Sequence, residues 1–571
     1  MKRIIIASFA IVFGMFLNSC GVKKMVRNAN NVNYQATPNP LEVHADSIKI
    51  NVNGSFPATF FHRRAAMVVT PYIVYQGGER PIKSTTLIGE KSKAEGKTIG
   101  FRDGGKFDIN DKLLFENGME EVTVELRATI QHRSRRIEIP AVKIGEGTVT
   151  TSKLLKKDDR AIIAADQFDK NPTITQKANI YYLKDQWSVR SAELQSDEMV
   201  NLFKFATDRS IDGSEFQKLD IYGYASPEGE LRRNNMLADR RADEAYKVVA
   251  SHLRKNKVAA VTNKGFYSPI TTNFEDWSGL KEKLQQSDIS GRDEAIRIIN
   301  NVQDPEEREA QFRKLASYDP IYNAYFPRLR RAEINLIVKK KTRTDDEIRS
   351  LATSQPDQLG SEELLYGASL QAEDAAKLRA YQSHARLFPE DWRGFNNAGV
   401  IMLQMGRINE AQAEFEKADR VKPNTPIVKN NLGVVAMLKG DVKAAGDFYR
   451  AASAAGDDAR YNLGNWSVAT ARYSEAVSSY GSACGHNPAL AKLLSGNISG
   501  AAQTVDCSDD KDSAEGLYLK AVIAARNNNK DGVISNLTSA IAKNNAFAAR
   551  AKRDIEFRNF RSDSAFQGIV K

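Results

Sequence analysis

Arg241 stands 15 residues after Ser226, which sits in the glycine-bounded stretch Gly223-Tyr224-Ala225-Ser226-Pro227-Glu228-Gly229. Asn234, Leu237 and Arg241 follow at i, i+3 and i+7, so on a helix they share one face. A guanidinium there presents a planar, permanently charged donor fork toward the loop, a geometry suited to a carboxylate. The plainer reading is that Arg241 only caps or braces the fold. Three further residues can do chemistry: Cys20, Cys484 and Cys507, the only cysteines. The six histidines (44, 62, 132, 252, 384 and 486) are scattered, with no metal-ligand neighbour at helical or hairpin spacing. No Gly-x-Ser-x-Gly elbow, phosphate-cradling loop or dinucleotide fingerprint occurs. The expectation is a non-enzyme with no metal and no cofactor.

The N-terminus reads as an address. Met1-Lys2-Arg3 precedes an apolar run, Ile4 to Leu17, which is shorter than the roughly 20 residues needed to span a bilayer. Leu17-Asn18-Ser19-Cys20-Gly21 then resembles the lipobox of bacterial lipoproteins. The resemblance implies a signal peptide at 1–19, lipidation of Cys20, and a tether over 20–44 from the periplasmic face of the outer membrane. In that compartment no chromosomal DNA is met, so the basic stretches 132–136 and 339–341 behind the formal charge of +11 are read as solvated faces or as contacts for anionic lipid or cell-wall polymer, and no nucleic-acid partner is expected. Oxidising conditions there leave Cys484 and Cys507 either as a disulfide or as two buried thiols.

The elements that must position these residues differ along the chain. Over 45–150 the hydrophobic pattern has period two: Ile48, Ile50 and Val52, then Val122, Val124, Leu126, Ala128 and Ile130, alternate with polar residues. A β-sandwich follows, with Pro71 marking an edge or a bulge. Over 176–342 strands and helices mix. Leu219–Tyr224 is a strand running into the glycine loop, and Leu231–Val249 is a charged helix.

Gly223–Gly229, with Asn234, Leu237, Arg241 and Ala242, resembles the signature of the OmpA C-terminal family. Leu329-Arg330-Arg331-Ala332-Glu333-Ile334 is similar to that family's closing strand. The resemblance implies a peptidoglycan-binding α/β domain whose arginine and loop aspartate clasp the zwitterionic diaminopimelate of the stem peptide. Ser226 replaces that aspartate and cannot neutralise an ammonium group, a loss on the order of 1–3 kcal/mol; Glu228 is the candidate substitute. The site expected is therefore Ser226, Glu228, Asn234 and Arg241. A long helical insertion, Trp277 to Phe326, separates the two halves.

After a polar linker (343–360) the period becomes helical over 361–560. Gly399, Ala411, Phe415 and Ala418 recur as Gly433, Ala445, Tyr449 and Ala452, 34 residues on, and as Gly464, Ala476, Tyr480 and Ala483 in a copy closed up by three residues. That period resembles the tetratricopeptide repeat, whose stacks form a concave groove. The resemblance puts Asn396, Val400, Leu403, Asn430, Val434, Met437, Tyr461, Asn465 and Val468 on it. Paired asparagines there either bond the backbone of an extended peptide or are surface amides. The whole reads as a multidomain chain: β-sandwich, OmpA-like α/β domain (βαβ with an insertion) and all-α solenoid. Its expected work is to link outer membrane to peptidoglycan while the groove recruits a protein. The rival is an assembly or secretion scaffold that binds no wall.

Overall fold

The structure, a computed structural model, describes residues 20–29, 32–270 and 275–571. The signal peptide expected at 1–19 and the side chain of Cys20 lie outside that description. The described residues form two compact units, those of 20–165 with 373–571 and those of 166–372.

In the first unit the period-two segments become two sheets. One is five-stranded, ordered Asn33–Thr37, Ser47–Phe56, Leu41–His44, Thr148–Val149, with Gly105–Leu114 also pairing Ser47–Phe56. The other is six-stranded and carries Val122–His132 between Arg135–Glu146 and Ala66–Tyr75. Ile48, Ile50 and Val52 from one sheet and Val124, Leu126 and Ile130 from the other enter a single core, as alternation demands when each sheet buries one face. Pro71 is not on an edge. It lies inside Ala66–Tyr75, where the flanking partner changes from Thr85–Gly89 to Gly78–Pro81, so its missing N–H breaks no continuous ladder.

The tether expected over 20–44 is instead built in. The helix Cys20–Arg27 and the strands Asn33–Thr37 and Leu41–His44 bury Val22, Met25, Ala36, Leu41 and Val43 in the sandwich core. Apolar residues spaced for a helix face outweigh the Asn-rich composition that suggested a flexible segment.

The solenoid belongs to the same unit. Five helical hairpins follow one another: Trp392–Gln404 with Ile408–Val421, Pro426–Leu438 with Val442–Ala451, Asp457–Ala469 with Tyr473–Tyr480, His486–Leu494 with Ile498–Asp506, and Ala514–Arg526 with Lys530–Lys543. Gly399, Gly433 and Gly464 explain the repeat. A side chain on each would lie 2.5–2.6 Å from the ring of Phe415, Tyr449 and Tyr480 on the second helix of the same hairpin. The aromatics therefore fill the space within hairpins, not between them.

Sandwich and solenoid share contacts. His44 Nδ1 is 2.8 Å from the Tyr473 hydroxyl, and Arg526 pairs with Glu556, which also meets Thr151. Gly147, at φ +77°, leaves space for Ile555, whose side chain would be 2.6 Å from any Cβ there. The two are thus one compact body rather than the separate domains expected.

The second unit has a four-stranded sheet ordered Thr173–Tyr181, Arg331–Lys339, Glu215–Gly223, Tyr267–Ile270, antiparallel except for the last pair. Asp197–Ile211 and Leu231–Lys255 contribute to its core. The insertion, Trp277–Gln285, Arg292–Asn301, Pro305–Phe312 and Tyr318–Leu329, has its own core around Leu280, Phe312, Ile321 and Phe326. The polar linker expected at 343–360 is helical instead. Asp345–Ser354 starts on a Thr344–Glu347 capping box, and Ser361–Ser369 follows in the same unit.

Candidate functional site

Two constellations were legible in the sequence, and each comes together in space. Gly223 ends its strand directly beneath the helix Leu231–Lys255; a Cβ there would lie 2.0 Å from the Ala238 carbonyl oxygen. That contact sets the loop against Asn234 and Arg241, which share the buried face of the helix. Asn234 Nδ2 donates to the Ser226, Glu228 and Gly229 carbonyls at 3.2–3.4 Å and to Glu275 Oε1 at 2.8 Å. Arg241 donates Nη1 to the Tyr224 carbonyl at 2.8 Å, Nε to Gln186 at 3.0 Å and Nη2 to Leu183 at 3.4 Å.

Only 1% of Arg241 is exposed, and burial pushes its guanidinium down to about 10. Glu228 does not stand in for the missing aspartate as a free anion: it pairs with Arg330 at 2.8 Å, both side chains under a tenth exposed. Ser226 is buried too. The expected clasp is therefore a closed brace. Its fork is spent on three backbone carbonyls, which satisfies otherwise orphaned acceptors but leaves no donor pair facing solvent.

The second constellation is the repeat groove, and it is full. Residues 155–165 cross it as an extended strap. Asn487 accepts from the Lys156 amide and donates to the Lys156 carbonyl, both at 2.9 Å. Asn462 does the same to Arg160 (2.8 and 2.8 Å), Asn431 to Ile162 (2.7 and 2.8 Å) and Asn397 to Ala164 (2.8 and 2.9 Å). Residues 160, 162 and 164 alternate, the two-residue period of extended chain. The first asparagine of each pair supports the ladder. Asn396 Nδ2 reaches the Ile162 carbonyl at 3.1 Å and Asn430 Nδ2 the Arg160 carbonyl at 2.8 Å.

Side chains pin the strap as well. Asn465 donates to Asp158 (3.0 Å) and Asp159 (2.9 Å), the Tyr461 hydroxyl donates to Asp158 at 2.8 Å, and Arg160 lies 4.0 Å over the Tyr461 ring. Burial pushes the Asp159 carboxyl up to about 6, and neighbouring Asp158 adds to the rise. Val400, Val434 and Val468 are buried, while Leu403 and Met437 pack on the core around Tyr449 and Trp466. The groove expected to be open for a partner is thus occupied by the chain itself.

Asn397 and Asn431 adjoin the expected groove residues Asn396 and Asn430 as the second members of those pairs; Asn462, Asn487 and the strap were missed. The signal for Asn462 existed: with the third copy closed up by three residues, it falls in register with Asn431. Cys484 and Cys507, just before and just after the fourth hairpin, form a disulfide with Cα atoms 5.6 Å apart. Among the described residues no group of three or more His, Cys, Asp or Glu side chains could hold a metal, and no helix is long and apolar enough to cross a membrane.

The tetratricopeptide-repeat family model matches residues 393–425. Similar solved structures include YrrB, a tetratricopeptide protein with an unusual peptide-binding site (15% identity, 34% of this chain and 89% of that one, TM-score 0.23). Others are PilW, a widely conserved type IV pilus biogenesis factor (14%, 40% and 100%, TM-score 0.26), and the APC/C hetero-tetramer Cut9–Hcn1 (13%, 59% and 68%, TM-score 0.29). Scores this low carry no argument about function. No curated protein matches the chain. The chain carries a tetratricopeptide repeat within a multidomain architecture whose N-terminal part is strand-rich.

Proposed function

We propose that this protein is a non-catalytic envelope scaffold, fastened by lipid at Cys20 to the periplasmic face of the outer membrane, whose α/β unit does not clasp peptidoglycan. One observation carries the choice over a wall-linking role: all three donor nitrogens of Arg241 are committed to the carbonyls of Gln186, Tyr224 and Leu183. A ligand carboxylate would have to displace those bonds in a site where the fork is fully buried, leaving buried carbonyls unmet at about 1–3 kcal/mol each.

The order of the four strands and the loop-to-helix motif support kinship with the OmpA C-terminal family. Fold alone does not transmit ligand, however. The Cys484–Cys507 disulfide supports an oxidising compartment, and the lipobox-like Leu17–Cys20 supports the anchor. The tetratricopeptide repeats support protein–protein interaction. Because the strap fills their groove, that interaction belongs to surfaces outside it, and the groove itself works as a joint between sandwich and solenoid.

Co-sedimentation of the full chain with purified peptidoglycan tests the reading. Retention no greater than that of an unrelated basic protein is expected. Retention that free diaminopimelate-containing stem peptide competes away would restore the wall-linking role.

A further inference from the structure

One concave surface of the sandwich is strongly basic. It is a cup of about 540 Å³ lined from four segments: Lys23 on the helix Cys20–Arg27, then Arg63 and Arg64, then Lys91, and the turn bearing Arg133 and Arg135. Arg63 is partly neutralised by Glu90 at 3.8 Å. The other five cations are exposed, and none has an ion-pair partner among the described residues.

Beneath them the rings of His62 and His132 meet edge to face, 4.7 Å between centroids. Both are held toward the neutral form by burial, and the surrounding arginines add to this. The helix that begins at Cys20 is seated on the cup. A side chain on Gly21 would lie 2.5 Å from His62 Cδ2, and Met25 Sδ is 3.3 Å from the His62 amide nitrogen. Residue 20 is thereby held at the rim, one position from that contact.

We infer that this cup docks the sandwich on a phosphate-bearing anionic membrane surface. Five uncompensated cations repel one another unless an anion meets them. They are set on four separate segments around an open concavity, and five positive charges exceed what one small phosphate neutralises, whereas a sheet of anionic headgroups can meet them all. Each cation at such a surface adds attraction that falls off within a Debye length. The inference rests on the reading of Cys20 as the lipidated residue for its orientation: the acyl chains hold residue 20 at the membrane, and basic groups beside it add electrostatic attraction to anionic headgroups.

The test uses the full chain from residue 20 with Cys20→Ser, so that no acyl chain contributes. Co-sedimentation compares vesicles of phosphatidylcholine alone with vesicles containing roughly one-third phosphatidylglycerol, at physiological ionic strength. Binding to the anionic vesicles only is expected. The added substitutions Arg64→Ala, Arg133→Ala and Arg135→Ala should weaken it on the order of 100-fold. Lys339→Ala, Lys340→Ala and Lys341→Ala, which remove the same charge from the other unit, should leave it unchanged. Equal binding to neutral vesicles, equal loss in the two triple variants, or release by inorganic phosphate at matched ionic strength would each overturn the inference. Acylation is read separately, by the mass of the native N-terminal peptide, so failure of one idea is distinguishable from failure of the other.

Discussion

At the scale of single residues, the clearest lesson is what a buried arginine is for. Arg241 touches three carbonyls from two chain segments, so it fixes the approach of the 183–186 loop to the end of the strand Glu215–Gly223. Arg241→Ala leaves those acceptors unmet and should lower the stability of the second unit by about 3 kcal/mol or more, with little rescue by Lys, whose point charge cannot reach three divergent acceptors. Denaturant unfolding monitored on that unit checks this.

Asp159 gives a second residue-scale prediction. Its folded-state carboxyl titrates near 6 because burial disfavours the charge. Between its ordinary value and 6 the folded state therefore holds a proton that the unfolded state has lost. Its contribution to stability is greatest at low pH and falls as pH rises through that window. Asp159→Asn lacks this term, so its melting temperature should gain on the wild type between pH 4 and pH 7. A constant difference across that range would count against burial of the charge in the groove.

At the scale of elements, the strap and the hairpins explain each other. An extended segment with no sheet neighbour must satisfy its amides elsewhere, and seven asparagines at most 2% exposed supply the partners. The Cys484–Cys507 bridge closes 23 residues around the shortest of the five hairpins, His486–Leu494 with Ile498–Asp506. In the chain-entropy account such a loop is worth about 3 kcal/mol. Reduction should therefore lower the unfolding midpoint of the first unit while leaving the second unit unchanged, measured by denaturation with and without reductant.

Much of this scale was legible. Alternation at Val122–Ile130 gave the strand, and the glycine–aromatic recurrence from Gly399 to Tyr480 gave the hairpins, because both patterns are local consequences of packing. The strap was not legible. Lys156-Lys157-Asp158-Asp159-Arg160 followed by Ala161–Ala165 has neither period, since its partners lie more than 200 residues away in sequence. The helix Cys20–Arg27 was likewise hidden by the polar composition around it. The motif at Ser226, Glu228, Asn234 and Arg241 placed four residues together correctly, but spacing alone does not tell a face that meets a ligand from one that meets the protein's own loop.

At the scale of the whole molecule, the first unit is assembled from the two ends of the chain, residues 20–165 and 373–571, with the second unit inserted between them. The strap is what makes that assembly specific: it leaves the sandwich at Val149 and is read backbone group by backbone group along four successive hairpins. This is why a groove that elsewhere would recruit a partner is here a joint.

Hydrogen exchange of the full native chain tests that claim most directly. The amides of Lys156, Arg160, Ile162 and Ala164 should be strongly protected, and Asn397→Ala with Asn431→Ala should release Ile162 and Ala164 while leaving Lys156 slow. Exchange of residues 155–165 in the native protein at the rate of an unstructured linker would contradict the account.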